Sequence, residues 1–138
     1  MISAERTVPH PPERVFEFLS DLRNHWRLEP QAFLELEDVR ERDGVIRLKG
    51  PLRLSRKVRT QVLETESPRR VAGRADLRSG TVGLVSWEIR PAERGSHVVL
   101  AARVERASLP DRTLLAFGGR AWLRRLFERA LLNLQSAL

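Results

Sequence analysis

The chain of 138 residues contains no cysteine. That absence excludes disulfides, thiolate metal ligands and cysteine nucleophiles, and it fits a reducing compartment, so we expect a cytoplasmic location. No apolar run approaches the ~20 residues that span a bilayer, and residues 1–6 lack the basic-then-apolar order of a signal peptide. The length and the 41% apolar composition predict a single domain over residues 1–138 with a substantial core.

Lysine is also scarce, although the chain is strongly basic. It occurs only at Lys49 and Lys57, so arginine supplies 23 of the 25 basic residues, and the net charge is +7. Such an excess is compatible with an anionic partner. Because the dense basic run of a nucleic-acid-binding arm is missing, we favour an arginine-rich surface paired with the 18 acidic residues.

The C-terminal stretch from Pro110 to Leu138 predicts a long amphipathic helix. Pro110-Asp111 suits a helix start, and no further proline follows it. At the spacing of an α-helix, one broad apolar stripe is made of Leu115, Gly119, Trp122, Leu123, Leu126, Phe127, Ala130, Leu134 and Ala137. A stripe of that length needs a large apolar surface to pack against.

Alternating apolar and polar residues predict that this surface is an antiparallel sheet. Residues 2–8 are predicted to form a first strand, which ends at the prolines that follow it. Apolar residues at helical spacing then predict a short helix over 12–22, and a connector or second short helix follows before Pro30. Further strands are predicted within 33–39, 46–54, 58–62, 71–77, 85–89 and 98–104. Turns are expected at Arg42-Asp43-Gly44, at 67–69, at Ser79-Gly80 and at 91–95, with a bulge or edge position at Gly50-Pro51.

This order of elements predicts an α+β fold. It consists of a curved antiparallel sheet of about seven strands, two short helices after the first strand, and a long C-terminal helix across the sheet. A sheet with one apolar face must cover that face, and the final helix is the element long enough to do so. Curling the sheet around the helix leaves a cavity between them wherever the side chains are small.

Several segments carry a family resemblance. They are residues 11–19 (PPERVFEFL), His25-Trp26, residues 86–91 (SWEIRP) and residues 118–123 (GGRAWL). Together with the order of elements, they resemble the START/Bet v 1-like (SRPBCC) superfamily, and within it the bacterial polyketide cyclase/dehydrase-like proteins. The resemblance covers essentially the whole chain and implies a helix-grip fold with a deep apolar cavity.

The resemblance also implies a function. Members of the superfamily bind lipids, sterols, polyketides or other hydrophobic small molecules, and some catalyse cyclisation or dehydration. Aromatase/cyclase members tend to line the cavity with tyrosine, and this chain has none. We therefore favour binding of a hydrophobic or amphipathic small molecule without a cofactor. The alternatives are a cyclase- or dehydratase-type enzyme on the same fold and, for assembly, a homodimer.

Eight residues are predicted to form the cavity wall, because they lie on inward strand positions, on the helix stripe or beside the expected cavity mouth. They are Trp26, Leu48, Val71, Gly73, Trp87, Gly119, Trp122 and Leu123. Aromatic side chains can stack on a flat ligand, although core packing is the favoured interpretation of Trp87 and Trp122. Glycines inside a helix cost about 1 kcal/mol each relative to alanine. Gly118-Gly119 therefore predicts either a bend or a close approach to the helix backbone.

His25 is the weak catalytic candidate, because an imidazole titrates near neutral pH and can act as a general acid or base. The sequence places no acid beside it, so a solvated loop histidine is the favoured interpretation. His10, His97 and the acidic residues at 35–38 lack ligand spacing, so no metal site is expected. Dinucleotide and phosphate-binding motifs are absent from the sequence as well.

The outward strand positions predict a basic sheet face, made of Lys49, Lys57 and the arginines at 47, 53, 59, 74, 78 and 103. Such a face offers a third hypothesis, contact with nucleic acid or an anionic membrane. Aromatic residues are not interleaved among these cations, which counts against single-stranded nucleic acid. A nucleic-acid partner is therefore not expected.

Overall fold

A seven-stranded antiparallel sheet organises the computed structural model, which describes residues 1–28, 34–49, 55–77 and 80–138. The sheet order is β1-β7-β6-β5-β4-β3-β2. The strands are β1 (Ile2–Val8), β2 (Leu34–Val39), β3 (Asp43–Lys49), β4 (Ser55–Glu66), β5 (Arg70–Leu77), β6 (Val82–Ala92) and β7 (Gly95–Arg106). With two short helices after β1 and a long C-terminal helix, this is the predicted helix-grip fold.

Strand alternation sets the two faces of the sheet. In β7, for example, Val98 and Leu100 are buried, whereas the charged residues at 103 and 105 are exposed. Register shifts interrupt the β2–β3, β4–β5 and β6–β7 pairings. Such irregularities bend strands and strengthen their twist, which favours a curved sheet. The inward positions predicted from period-two patterning are confirmed along β4 to β7.

The first hairpin turn differs from the sequence prediction. Asp43 and Gly44 lie in β3, and the chain reverses one step earlier, at Glu41 and Arg42. The backbone N–H of Arg40 donates to the Asp43 carbonyl at 2.8 Å and closes the turn. The predicted bulge at Gly50-Pro51 and the predicted turn position Ser79 lie outside the described residues.

The two short helices predicted after the first strand are α1 (Pro12–Leu19) and α2 (Leu22–His25), and only the boundary differs, because the first helix ends before the predicted residue 22. Asp21 separates them because its backbone is extended and its side chain accepts a hydrogen bond from the Arg23 N–H at 3.0 Å. The carboxylate thus starts the second helix as an N-cap. Helical periodicity continues across this junction, so the apolar pattern alone did not reveal it.

The C-terminal helix does not run continuously from Pro110, because it is interrupted beside Gly118-Gly119, where a bend was one of the two predicted outcomes. Helix α3 (Leu109–Leu114) is followed by a distorted segment, Leu115–Gly119, and then by α4 (Arg120–Ala137). Gly118 has a φ of +108°, a conformation that L-residues other than glycine rarely adopt. The preceding Phe117 is also non-helical and is 86% exposed. This segment is called the helix break below.

Helix α4 supplies the apolar side that covers the sheet. Its buried residues are Leu126, Phe127, Ala130, Leu131 and Leu134. The stripe predicted from sequence omitted Leu131, which is 1% exposed. All of these buried residues except Leu126 share one core with Val15 and Leu19 of α1 and with inward residues of β1, β5, β6 and β7. No helix in the described part of the chain is long and apolar enough to cross a membrane.

Candidate functional site

A cavity of about 330 Å³ lies between the sheet and the C-terminal helical segments. It is bordered by mostly inward residues of β1 and of β3 to β7, by the α2 end, and by residues of α3, the helix break and the first half of α4; the predicted outward residues Arg74 and Arg103 also border it. All eight predicted wall residues border it: Trp26, Leu48, Val71, Gly73, Trp87, Gly119, Trp122 and Leu123. The structure therefore brings together in space residues that are spread over nearly one hundred positions of the chain.

The cavity exists because small residues on the sheet face the broken part of the helix. Gly73, Ala75, Gly83 and Ala102 border the space from the sheet side. Farther along α4, Phe127, Leu131 and Leu134 fill the corresponding space with buried side chains. Side-chain volume thus divides the interface between helix and sheet into a packed half and a hollow half.

The two glycines in the predicted wall have structural causes. A Cβ at Gly73 would lie 2.6 Å from the Gln61 carbonyl oxygen of the neighbouring strand. At Gly119 it would lie 2.6 Å from the Leu114 carbonyl oxygen of α3. Backbone approach within the protein therefore requires glycine at both positions, and the predicted bend accounts for Gly119.

All three tryptophans of the chain border the cavity. Trp87 is 5% exposed and belongs to the main core, whereas Trp26 and Trp122 are half-buried. Trp26 packs against a second small cluster built on Ile46 and Val58. Core packing and cavity lining are therefore compatible roles for the same indole ring.

His25 also borders the cavity, and the interpretation as a solvated loop residue is wrong. Its ring is half-buried, and its Nε2 lies 2.5 Å from the Leu19 carbonyl oxygen. The ring meets those of Trp87 and Trp26 edge-on, with centroids 5.6 Å and 6.4 Å away. Burial is the main cause that lowers the pKa of His25, partly opposed by the hydrogen bond to Leu19.

Local capping explains the position of His25. The last carbonyls of a helix lack partners within it. At the end of α1, Asn24 Nδ2 donates to the Phe18 carbonyl at 3.0 Å, and His25 Nε2 donates to the Leu19 carbonyl. The short α2 therefore folds back onto α1 and turns the imidazole inward. The Asn-His pair after the helix was the available sequence signal.

The lowered pKa of His25 predicts a pH-dependent stability. The unfolded chain takes up a proton at this histidine near pH 6.5, whereas the folded protein resists protonation until lower pH. Stability should therefore fall as the pH drops below about 6.5. Urea denaturation of wild type and His25→Phe between neutral and mildly acidic pH measures the effect.

The comparison isolates His25, because His10 and His97 are present in both proteins. Asp21, whose pKa is lowered chiefly by the hydrogen bond from Arg23, acts at more acidic pH. Its contribution is lost only as the pH falls through that lowered pKa. Parallel stability curves for the two proteins would contradict the assignment.

A buried polar pair, not predicted from the sequence, borders another part of the cavity. Thr81 donates its hydroxyl to the carboxylate of Asp111, and both residues are buried. Ser108 precedes α3 and accepts from the Asp111 N–H at 3.4 Å, so it caps that helix. The Ser-x-x-Asp spacing at the start of α3 was the sequence signal for the cap. No nearby sequence feature predicted that Thr81, just before β6, would bond to Asp111.

Several charged residues of the described ranges form ion pairs. Arg47 and Lys57 each lie 3.4 Å from Glu37, and Arg74 lies 2.9 Å from Asp76. These exposed pairs agree with the interpretation of the arginine excess as a balanced surface. Within the described ranges, no three histidine or carboxylate side chains are grouped so that they could hold a metal ion.

Comparisons with known proteins agree with this architecture. The family described as "Polyketide cyclase / dehydrase and lipid transport" matches residues 1–138. No curated protein matches the chain.

Solved structures extend the comparison. The protein TTHA0849 from Thermus thermophilus is 21% identical, with a TM-score of 0.70 over 98% of this chain and 94% of that chain. A protein from Arthrobacter aurescens is 14% identical, with a TM-score of 0.72 over 97% of this chain and 85% of that one. The AHSA1 protein from Silicibacter pomeroyi is 17% identical, with a TM-score of 0.67 over 99% and 95%. At these identities the likeness establishes the shared fold alone.

Proposed function

The chain belongs to the polyketide cyclase/dehydrase and lipid transport family, and we propose that it binds a hydrophobic or amphipathic small molecule, such as a lipid or a polyketide. The binding site is the cavity between the sheet and the C-terminal helical segments. The observation that carries the proposal is the hollow of about 330 Å³ with predominantly apolar walls. A cytoplasmic location and the absence of a nucleic-acid partner belong to the same proposal.

Desolvation supplies most of the binding free energy. Burial of apolar surface contributes roughly 25 cal/mol for each Å² removed from water. Inward side chains such as Val71, Val85 and Leu100 offer that surface from the sheet, and Leu115 and Leu123 offer it from the helical side. A few polar groups at the wall then set the orientation of the ligand.

Intrinsic fluorescence tests the proposal, because every tryptophan borders the cavity and the chain has no tyrosine. Titration with n-decanol is expected to change the tryptophan emission in a saturable manner and to raise the melting temperature. A panel of medium-chain lipids and aromatic polyketide analogues extends the search for tighter ligands. Unchanged emission and melting temperature across the panel would overturn the proposal.

The enzymatic alternative lacks a supporting observation. His25 borders the cavity, but the hydrogen bond of its ring goes to a backbone carbonyl. Among the described residues, no carboxylate is hydrogen-bonded to that ring. A cyclase or dehydratase mechanism would need such a second polar group to share the proton transfer.

A further inference from the structure

Two neighbouring side chains on the cavity wall have unused hydrogen-bonding capacity. His25 uses Nε2 on the Leu19 carbonyl, and Nδ1 has no partner among the described residues. The Nε1–H of Trp26 is buried and also has no partner in the part of the chain that the structure describes. The two rings meet edge-on, at an interplanar angle of 61°. Both residues border the cavity.

The bond to Leu19 fixes which nitrogen of His25 carries the hydrogen. A carbonyl oxygen can only accept, so Nε2 is the donor, and it lies 2.5 Å from that oxygen. In a neutral imidazole the other nitrogen is then an acceptor with a lone pair. Burial lowers the pKa of the ring, which favours this neutral form. The wall therefore presents an acceptor at His25.

Trp26 supplies the opposite capacity, because an indole nitrogen can only donate. A buried donor without a partner costs free energy, so an unpartnered indole beside a cavity is a group that a ligand can satisfy. Donor and acceptor thus belong to neighbouring residues whose ring centroids lie 6.4 Å apart, on a wall that is otherwise largely apolar.

We propose that His25 and Trp26 together select apolar ligands that carry a hydroxyl group, an inference that rests on the proposed binding function. The hydroxyl oxygen accepts from Trp26 Nε1–H, and its hydrogen is donated to His25 Nδ1. Ethers, ketones and carboxylates can accept from Trp26 but have no hydrogen for His25. The ligand class is therefore alcohols, phenols and other hydroxylated hydrocarbons.

Two isomeric probes isolate the contribution of the hydroxyl hydrogen. These are n-decanol and methyl nonyl ether, which have the same atoms but differ in donor capacity. Calorimetric titrations compare both probes on wild type, His25→Phe and Trp26→Phe. His25→Phe is expected to weaken the binding of n-decanol about three- to tenfold more than the binding of methyl nonyl ether, the size of one hydrogen bond. Trp26→Phe is expected to weaken the binding of both probes, because both contain an oxygen that can accept a hydrogen bond from the indole N–H.

The outcomes separate this inference from the function on which it rests. If both probes bind wild type and His25→Phe weakens them equally or not at all, hydroxyl selection is wrong and binding stands. If neither probe binds wild type, hydroxyl selection is wrong, and the proposed function is then decided separately by the panel of lipids and polyketide analogues. Loss of the hydrogen bond to Leu19 changes the affinity for both probes alike. The difference between the two affinity changes therefore reports the contribution of the hydroxyl hydrogen alone.

Nitrogen NMR of histidine-labelled wild type provides a second measurement that needs no variant. The His25 resonances should identify Nε2 as protonated and Nδ1 as unprotonated. Adding n-decanol should shift the Nδ1 resonance, and adding the ether should leave it nearly unchanged. A protonated Nδ1, or equal shifts with both probes, would overturn the proposal.

Discussion

Replacing Leu134 with alanine is expected to lower the free energy of unfolding by about 2–5 kcal/mol. The side chain is 0% exposed and belongs to the core in which α4 meets α1 and the sheet. Truncation removes buried methyl groups and leaves a void in the half of the interface that is well packed. Chemical denaturation, with folding confirmed by circular dichroism, measures the change.

Leu132→Ala is the matched control for this prediction. It makes the same substitution two positions earlier on the same helix, where the side chain is 50% exposed. The expected cost is about 1 kcal/mol or less, because a surface truncation forms no internal cavity. Equal destabilisation by the two variants would mean that α4 does not pack on the sheet with the face described here.

Replacing Ala102 with phenylalanine is expected to weaken n-decanol binding at least tenfold, about 1.4 kcal/mol. Ala102 lies on β7, is half-buried and borders the cavity between Val85 of β6 and Ile2 of β1. A phenyl ring at this position occupies volume that the ligand needs. The same titration that tests wild type measures the loss.

Ala101→Phe is the control, because the neighbouring residue of a strand points to the opposite face. Ala101 pairs with Ser86 and Ser3 and does not border the cavity. This variant should bind n-decanol within about twofold of wild type, a difference well below that of one lost hydrogen bond. Unchanged affinity in Ala102→Phe, with an unchanged melting temperature, would place the ligand outside the cavity.

The sheet was predictable because strand patterning is local. The buried Val98 and Leu100 alternate with half-buried positions, and a two-residue period requires no knowledge of distant contacts. The same parity placed Val71 and Trp87 on the inner face. Since the long helix had to cover that face, the eight wall residues followed from the element order and the family resemblance together.

The helix break and the hydrogen bond of His25 required information that periodicity does not contain. Gly118-Gly119 predicted a bend or a close approach to the helix backbone, but only the structure shows that Gly118 has a positive φ. Likewise, His25 turns inward because α2 folds back onto the end of α1, where the Leu19 carbonyl lacks a partner within its own helix. Leu131, by contrast, was within reach of periodicity, because it lies at helical spacing from Phe127 and Leu134 inside the regular helix α4.

Cavity size was also outside the reach of the sequence. It depends on how closely the helix approaches the sheet, and that distance is set by packing at the other end. Leu134 and Phe127 hold α4 against the core, whereas Gly73 and Ala75 leave space farther along. The sequence shows that these sheet positions carry small residues. The size of the cavity, about 330 Å³, also depends on where the helix lies relative to the sheet, which the sequence does not show.

The most direct test locates a bound probe by NMR. Isotope-filtered nuclear Overhauser effects are recorded between unlabelled n-decanol and the methyl groups of the labelled protein. We predict contacts from the alkyl chain to Val71, Val85 and Leu123, which border the cavity from both sides. Contacts confined to exposed side chains such as Leu36 and Leu132, or none at saturating probe, would contradict an internal binding site.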